Sequence, residues 1–174
     1  MAANTNSISI HPRTFECQDS VTRPADTTQY AVGDAISDAT TTATAAGAFT
    51  LDFQTQVGGS VVLTDFTLHK SDQDQTGAHI WLLLFTTLPA LAGWDDNAAV
   101  AITDAEMKEC KGVVKFDADD WCNAGTGDIQ TVQKTIGIVF NSDSSTVYGI
   151  MVAGGTYTPA SGEVFTLTVH GIQD

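Results

Sequence analysis

The chain has 174 residues, and its 21 Asp and Glu against seven Lys and Arg give a formal charge of −14. That balance argues against nucleic acid as a direct partner, because phosphate contacts need clustered cations, and against an anionic membrane surface for the same reason. Hydrophobic residues make up 43% and charged residues only 16%. A chain of this length buries enough apolar surface to fold without disulfides or metals.

The opening stretch, "MAANTNSISIHPR", has neither a basic n-region nor an apolar core, so no signal peptide is expected. The longest apolar run, Ile80 to Phe85, is far short of a membrane span. The three cysteines, Cys17, Cys110 and Cys122, are widely spaced and form no CxxC. Free thiols made in a reducing compartment are the expectation, and a Cys110–Cys122 bridge stays open.

In chain order, residues 1–13 read as a polar arm and residues 14–174 as one β domain. Asp38 to Gly47, small and polar, reads as a loop or a loosely held edge. In Phe49 to Gln54, Phe49, Leu51 and Phe53 alternate with Thr50, Asp52 and Gln54, the period of a half-buried strand. The next strand is expected to place Val62, Thr64, Phe66 and Leu68 on one face and Leu63, Asp65, Thr67 and His69 on the other. "AHIWLLLFTT" is apolar on both faces, so its outer face must be covered, and a partner subunit is one candidate cover.

A long loop with Pro89 and Gly93 follows. Thr103 and Glu106 then have the spacing of a capping box, which predicts a helix through Lys111 with Gly112 as its left-handed cap. "VVKF" and the segments Ile129–Phe140, Thr146–Ala153 and Glu163–Gly171 are strands. In the last, Phe165, Leu167 and Val169 face inward, and Ile172 breaks the parity, which predicts a bulge or bend. Many short strands and one short helix, without βα alternation, predict an all-β fold: a jelly-roll-like antiparallel β-sandwich.

Four constellations bear on chemistry. Asp72, Asp74, Thr76 and Gly77 match the opening of a calcium loop, but Leu83 stands where the closing Glu belongs and the flanks read as strands, so a plain hairpin loop is the simpler reading. Asp95 and Asp96 lie beside Trp94, and Asp117, Asp119 and Asp120 lie beside Trp121. Paired acids could hydrolyse a glycosidic bond, and acids with an indole could form a saccharide-binding rim at Trp94, Asp95, Asp96 and Trp121. Adjacent acids in loops are also ordinary turn residues.

His11, His69, His79 and His170 show no metal-ligand spacing. There is no GxSxG, and "VAGGTY" lacks the Lys of a phosphate loop. No catalytic residue, metal or cofactor is assigned.

Three stretches carry a resemblance. "TRPADTTQYAVGDAIS" (Thr22 to Ser37), "WDDNAAVAITDAEMKECKGVVKF" (Trp94 to Phe116) and "VYGIMVAGGTYTPASGEVFTLTVHGIQD" (Val147 to Asp174) resemble segments of virion structural proteins of tailed bacteriophages. The resemblance covers about two fifths of the chain and implies a virion component, synthesised in the host cytoplasm, with no catalytic residues to carry over. Joined to the β-sandwich expectation, it points to a capsid cement or decoration protein on the capsid exterior. Such a protein would be a homotrimer whose partner is the major capsid protein. The alternative is a tail-fibre or head-spike module that binds host-surface saccharide.

Overall fold

In the computed structural model, the described residues are 13–38, 47–53, 59–71, 78–89, 95–123, 130–141 and 145–173. Ten strands, one short α-helix and a 3-10 turn (Ala118–Asp120) are found among them: β1 (Arg13–Thr22), β2 (Ala35–Ile36), β3 (Phe49–Asp52), β4 (Ser60–Lys70), β5 (Ile80–Phe85), α1 (Asp104–Met107), β6 (Cys110–Phe116), β7 (Cys122–Asn123), β8 (Gln130–Asn141), β9 (Thr146–Ala153) and β10 (Val164–Gln173).

The pairings are nested and antiparallel. β1 pairs with β10, β2 and β3 both pair with β9, β4 pairs with β8, and β5 pairs with β6. Two further pairings, β10 with β4 and β9 with β5, roll this long ribbon into two sheets, ordered β1-β10-β4-β8-β7 and β2-β9-β5-β6. Counting β2 and β3 as one interrupted strand, this is the connectivity of a jelly roll. The expected fold class is the observed one.

The core lies between the sheets. Phe49, Phe66, Phe116 and Phe165 are among its largest side chains, and each is fully buried. Phe165, Leu167 and Val169 of β10 point inward as their alternation predicts. At about 1.5–3 kcal/mol for each fully buried large apolar side chain, these layers dominate the stabilisation.

β5 is buried on both faces, and the cover on its outer side is the chain itself. Ile80, Leu82 and Leu84 enter the main core, whereas Leu83 and Phe85 join Ile150 and Val152 in a second cluster packed by Leu88, Val100 and Ile102. The segment between β5 and β6 therefore does the work that a partner subunit was a candidate to do.

Three local expectations are corrected. In β4, Val61 and Leu63 face inward, followed by Phe66, Leu68 and Lys70, so Val62 does not share the inward face of Phe66. The register shifts between Leu63 and Asp65 on both sides of β4: Thr64 is the extra residue against β10, the extra residue against β8 lies between Thr135 and Ile138, and burial along β4 changes parity across Thr64. The irregularity expected near Ile172 is this same shift, between His170 and Gly171, but it belongs to β4, and burial along β10 keeps its alternation.

The capping box is present, with the Glu106 N–H donating to Thr103 Oγ1 and the Thr103 N–H donating to Glu106 Oε2. The helix nonetheless stops at Met107, and Gly112 lies in β6 opposite Leu84. Pairing with β5 claims the residues that local propensity assigned to the helix. Gly112 serves a close approach there: a Cβ would stand 2.8 Å from Ile138 Cδ1.

β1 was not anticipated as a strand. Of the arm, only Arg13 is described, and it opens β1. The candidate calcium loop at 72–77, His11, Trp94 and most of the 38–47 segment lie outside the described residues. No helix among the described residues is long and apolar enough to cross a membrane.

Candidate functional site

Of the four residues singled out as a rim, Asp95, Asp96 and Trp121 are among the described residues, and they turn inward instead of forming an open rim. Trp94 is not among the described residues. Asp96 has a side chain only 2% exposed and is tied to three donors: Arg23 Nη2 at 2.7 Å, the Tyr30 hydroxyl at 2.5 Å and the Ser37 N–H at 3.0 Å. Asp95 precedes it with its Oδ1 buried. Trp121 donates its indole N–H to the Ala78 carbonyl at 2.7 Å and packs against the main core. The polar atoms of Asp96 and Trp121 are thus committed within the chain.

Following those bonds uncovers residues that sequence reasoning did not mark. Arg23, just past β1, is fully buried; its Nη1 donates to the Ala160 carbonyl at 3.2 Å, and its Nε donates to the Tyr30 hydroxyl. The guanidinium carbon sits 4.7 Å from the Tyr30 ring centre. Tyr30 and Tyr157 stack, with centroids 6.1 Å apart and planes within 2°. The Tyr157 hydroxyl donates to Glu163, whose Oε1 lies 3.7 Å from Lys70 Nζ. Lys70 Nζ in turn stands 5.1 Å from the Tyr157 ring centre and 5.9 Å from that of Trp121.

These side chains form one continuous buried assembly, from Asp96 through Arg23, Tyr30, Tyr157, Glu163 and Lys70 to Trp121. It holds two of the chain's seven Lys and Arg. Burial pushes the Tyr30 hydroxyl pKa well up, and the Asp96 carboxylate pushes it further, so the phenol stays protonated. Burial opposes the charge on Arg23, but the Tyr30 oxygen and Asp96 outweigh it and leave the guanidinium above its ordinary pKa. Chemically, this arrangement holds charges in place and keeps them from water.

The assembly also gathers three stretches that lie far apart in the chain. Thr22–Ser37 supplies Arg23 and Tyr30, Trp94–Phe116 supplies Asp96, and Val147–Asp174 supplies Tyr157 and Glu163. Backbone bonds knit the same stretches: Tyr30 N–H to Tyr157 O at 2.8 Å, Gly33 N–H to Ala153 O at 2.8 Å, Ala35 N–H to Ala98 O at 2.8 Å, and Arg23 N–H to Glu163 O at 2.9 Å. Gly33 turns the chain there at φ +95, a conformation that favours glycine.

The remaining candidates are dispersed. His79 contacts Asp117 at 3.2 Å, His170 contacts Glu16 at 3.0 Å, and His69 bonds Thr131 at 2.7 Å. Asp120 pairs with Lys134, whose hydrogen bond holds its carboxyl below the usual range. No three His, Cys, Asp or Glu among the described residues are placed to hold a metal. All three cysteines are free thiols, with Cys17 buried and Cys122 exposed.

No protein-family model matches this chain, and no curated protein matches it. Solved structures similar to it include the native virion of Kashmir bee virus at neutral pH, at 8% identity and a TM-score of 0.35, covering 93% of this chain and 71% of that one. The native virion of the same virus at acidic pH is similar at 12% identity and a TM-score of 0.36, covering 100% and 80%.

Proposed function

We propose that the chain is a virion structural protein of the tailed-phage kind, a cement or decoration protein that binds the assembled head from outside as a homotrimer. The observation that carries this reading is the convergence just described. The three phage-like stretches, far apart in sequence, meet in one buried ionic assembly at the junction of β1, β4 and β10. In this chain those stretches lock the jelly roll together, which fits a structural role.

The mechanism is mass action. A protein that binds the assembled shell and not its separate subunits stabilises the shell by its binding free energy. The major capsid protein is the partner on this reading, and the acidic exterior faces solvent.

Because β5 is covered by its own chain, contact between copies has to use another surface. Ile172, Val62 and Val139 are direct cross-strand partners on β10, β4 and β8, and they form an apolar row on the outer side of that sheet. Val139 is 66% exposed and Ile172 is 37% exposed. Light scattering on the purified chain tests the oligomer: a trimer supports the reading, and a monomer of 18.3 kDa at all concentrations contradicts it.

A further inference from the structure

Lys70 Nζ and Glu163 Oε1 face each other at 3.7 Å, and neither side chain has any exposed surface. Keeping both charges from water is expensive unless their geometry is excellent. Their backbones are locked in register, with the Ser71 N–H donating to Val164 O at 2.9 Å and the Val164 N–H donating to Ser71 Oγ at 2.8 Å. Tyr157 donates its hydroxyl to the far oxygen of the carboxyl group, Oε2. The Tyr157 and Trp121 rings flank the amine, and the indole is pinned by its bond to Ala78. An amine and a carboxyl group are thus held in contact, in a fixed orientation, behind aromatic walls.

We propose that Lys70 and Glu163 condense into an intramolecular amide, a covalent cross-link between the end of β4 and the start of β10. The Nζ–Cδ bond forms and the Cδ–Oε1 bond breaks. Two of the three ammonium protons pass to Oε1, which departs as water, and the third stays on the amide nitrogen. Charge balances, and no oxidant, reductant or external group is consumed. The Tyr157 hydroxyl remains on Oε2, where it stabilises negative charge developing on that oxygen as nitrogen adds.

Two physical terms favour the product. Well-oriented intramolecular partners react with effective molarities of roughly 10⁵–10⁸ M, which offsets the preference for separate ions in water. The amide also removes both buried charges while keeping a polar group that Tyr157 can bond, and the excluded water cannot readily reverse the step.

Intact-mass spectrometry of the folded full chain tests this, with Lys70→Arg as the comparison. The wild type is expected to be lighter than its sequence mass by one water and Lys70→Arg to sit at its own sequence mass. Tryptic digestion of the wild type is expected to yield a branched peptide joining the segments that contain Lys70 and Glu163. A wild type at full sequence mass after prolonged incubation of the folded protein overturns the proposal. So does a one-water deficit that persists in Lys70→Arg. If the variant fails to fold, the branched peptide decides alone: its presence supports the cross-link and its absence overturns it.

Discussion

The Asp96 carboxylate accepts a hydrogen bond from Arg23 Nη2 at 2.7 Å, and neither side chain meets bulk water. This pair ties the segment that leaves β1 to the loop that leads into α1. Removing one partner strands the other as a buried, uncompensated charge. Asp96→Ala should therefore destabilise the fold by about 3–5 kcal/mol. Replacing both partners together, as Arg23→Met with Asp96→Leu, should cost less than Asp96→Ala alone. Exposed Asp119→Ala should stay within about 0.5 kcal/mol of wild type. Urea midpoints at constant slope measure all three.

Gly171 is a second sensitive position, for steric reasons. A Cβ there would stand 2.3 Å from Phe15 Cζ and 2.7 Å from the Val62 carbonyl oxygen. Phe15 is held over the strand by Phe53, with ring centroids 4.6 Å apart. Gly171→Ala should lower stability by about 1–3 kcal/mol through overpacking. At Gly137, also in a strand, a Cβ meets nothing within 4 Å. Gly137→Ala should be neutral or mildly stabilising. Thermal melts of the two variants make the comparison.

Burial, with help from Glu16 and Asp52, raises the Cys17 thiol from 9.0 to about 12. Its neutral form is favoured in the fold, so its contribution to stability is fully present below pH 9 and is lost as pH rises toward 12. Denaturation at pH 8 and pH 11 should show the loss, and Cys17→Ala should reduce the difference between them. In thiol labelling at neutral pH, exposed Cys122 should react in the native state and Cys17 only on unfolding.

The apolar row of Ile172, Val62 and Val139 gives a prediction about assembly. Val139 contributes little to the core, being 66% exposed. Val139→Asp should leave the melting temperature of the isolated chain within a few degrees. It should also shift light scattering from trimer to monomer. A trimer unaffected by this substitution would place the contact elsewhere.

The fold was legible wherever period-two alternation ran unbroken. Phe165, Leu167 and Val169 in β10 and Phe49, Leu51 and Phe53 around β3 point inward as read. β4 was misassigned before Thr64, at Val62 and Leu63, because a bulge inverts parity without a compositional mark. β1 was missed although Phe15, Cys17 and Val21 alternate, because Asp19 interrupts the apolar series. That residue is used by tertiary structure: its Oδ2 accepts the Thr50 N–H at 2.6 Å, joining β1 to β3.

The site was less legible, since long-range pairing decides it. Asp96 drew notice as a loop acid beside a tryptophan, yet its partner Arg23 lies at the far end of another strand. Lys70 and Glu163 resemble ordinary charges in the sequence, although Lys70 continues the buried face of Phe66 and Leu68. The signal available in advance was the scarcity of cations: with seven in the chain, each one near an apolar run was worth following.

Phage heads assembled without this chain offer the most direct measurement of its role. Purified protein added back to such heads should sediment with them, saturate at a fixed ratio to the shell subunit, and raise the temperature at which the heads rupture. It should not bind the unassembled shell subunit. Protein that stays in the supernatant, or heads that rupture at the same temperature with and without it, would contradict a cementing role.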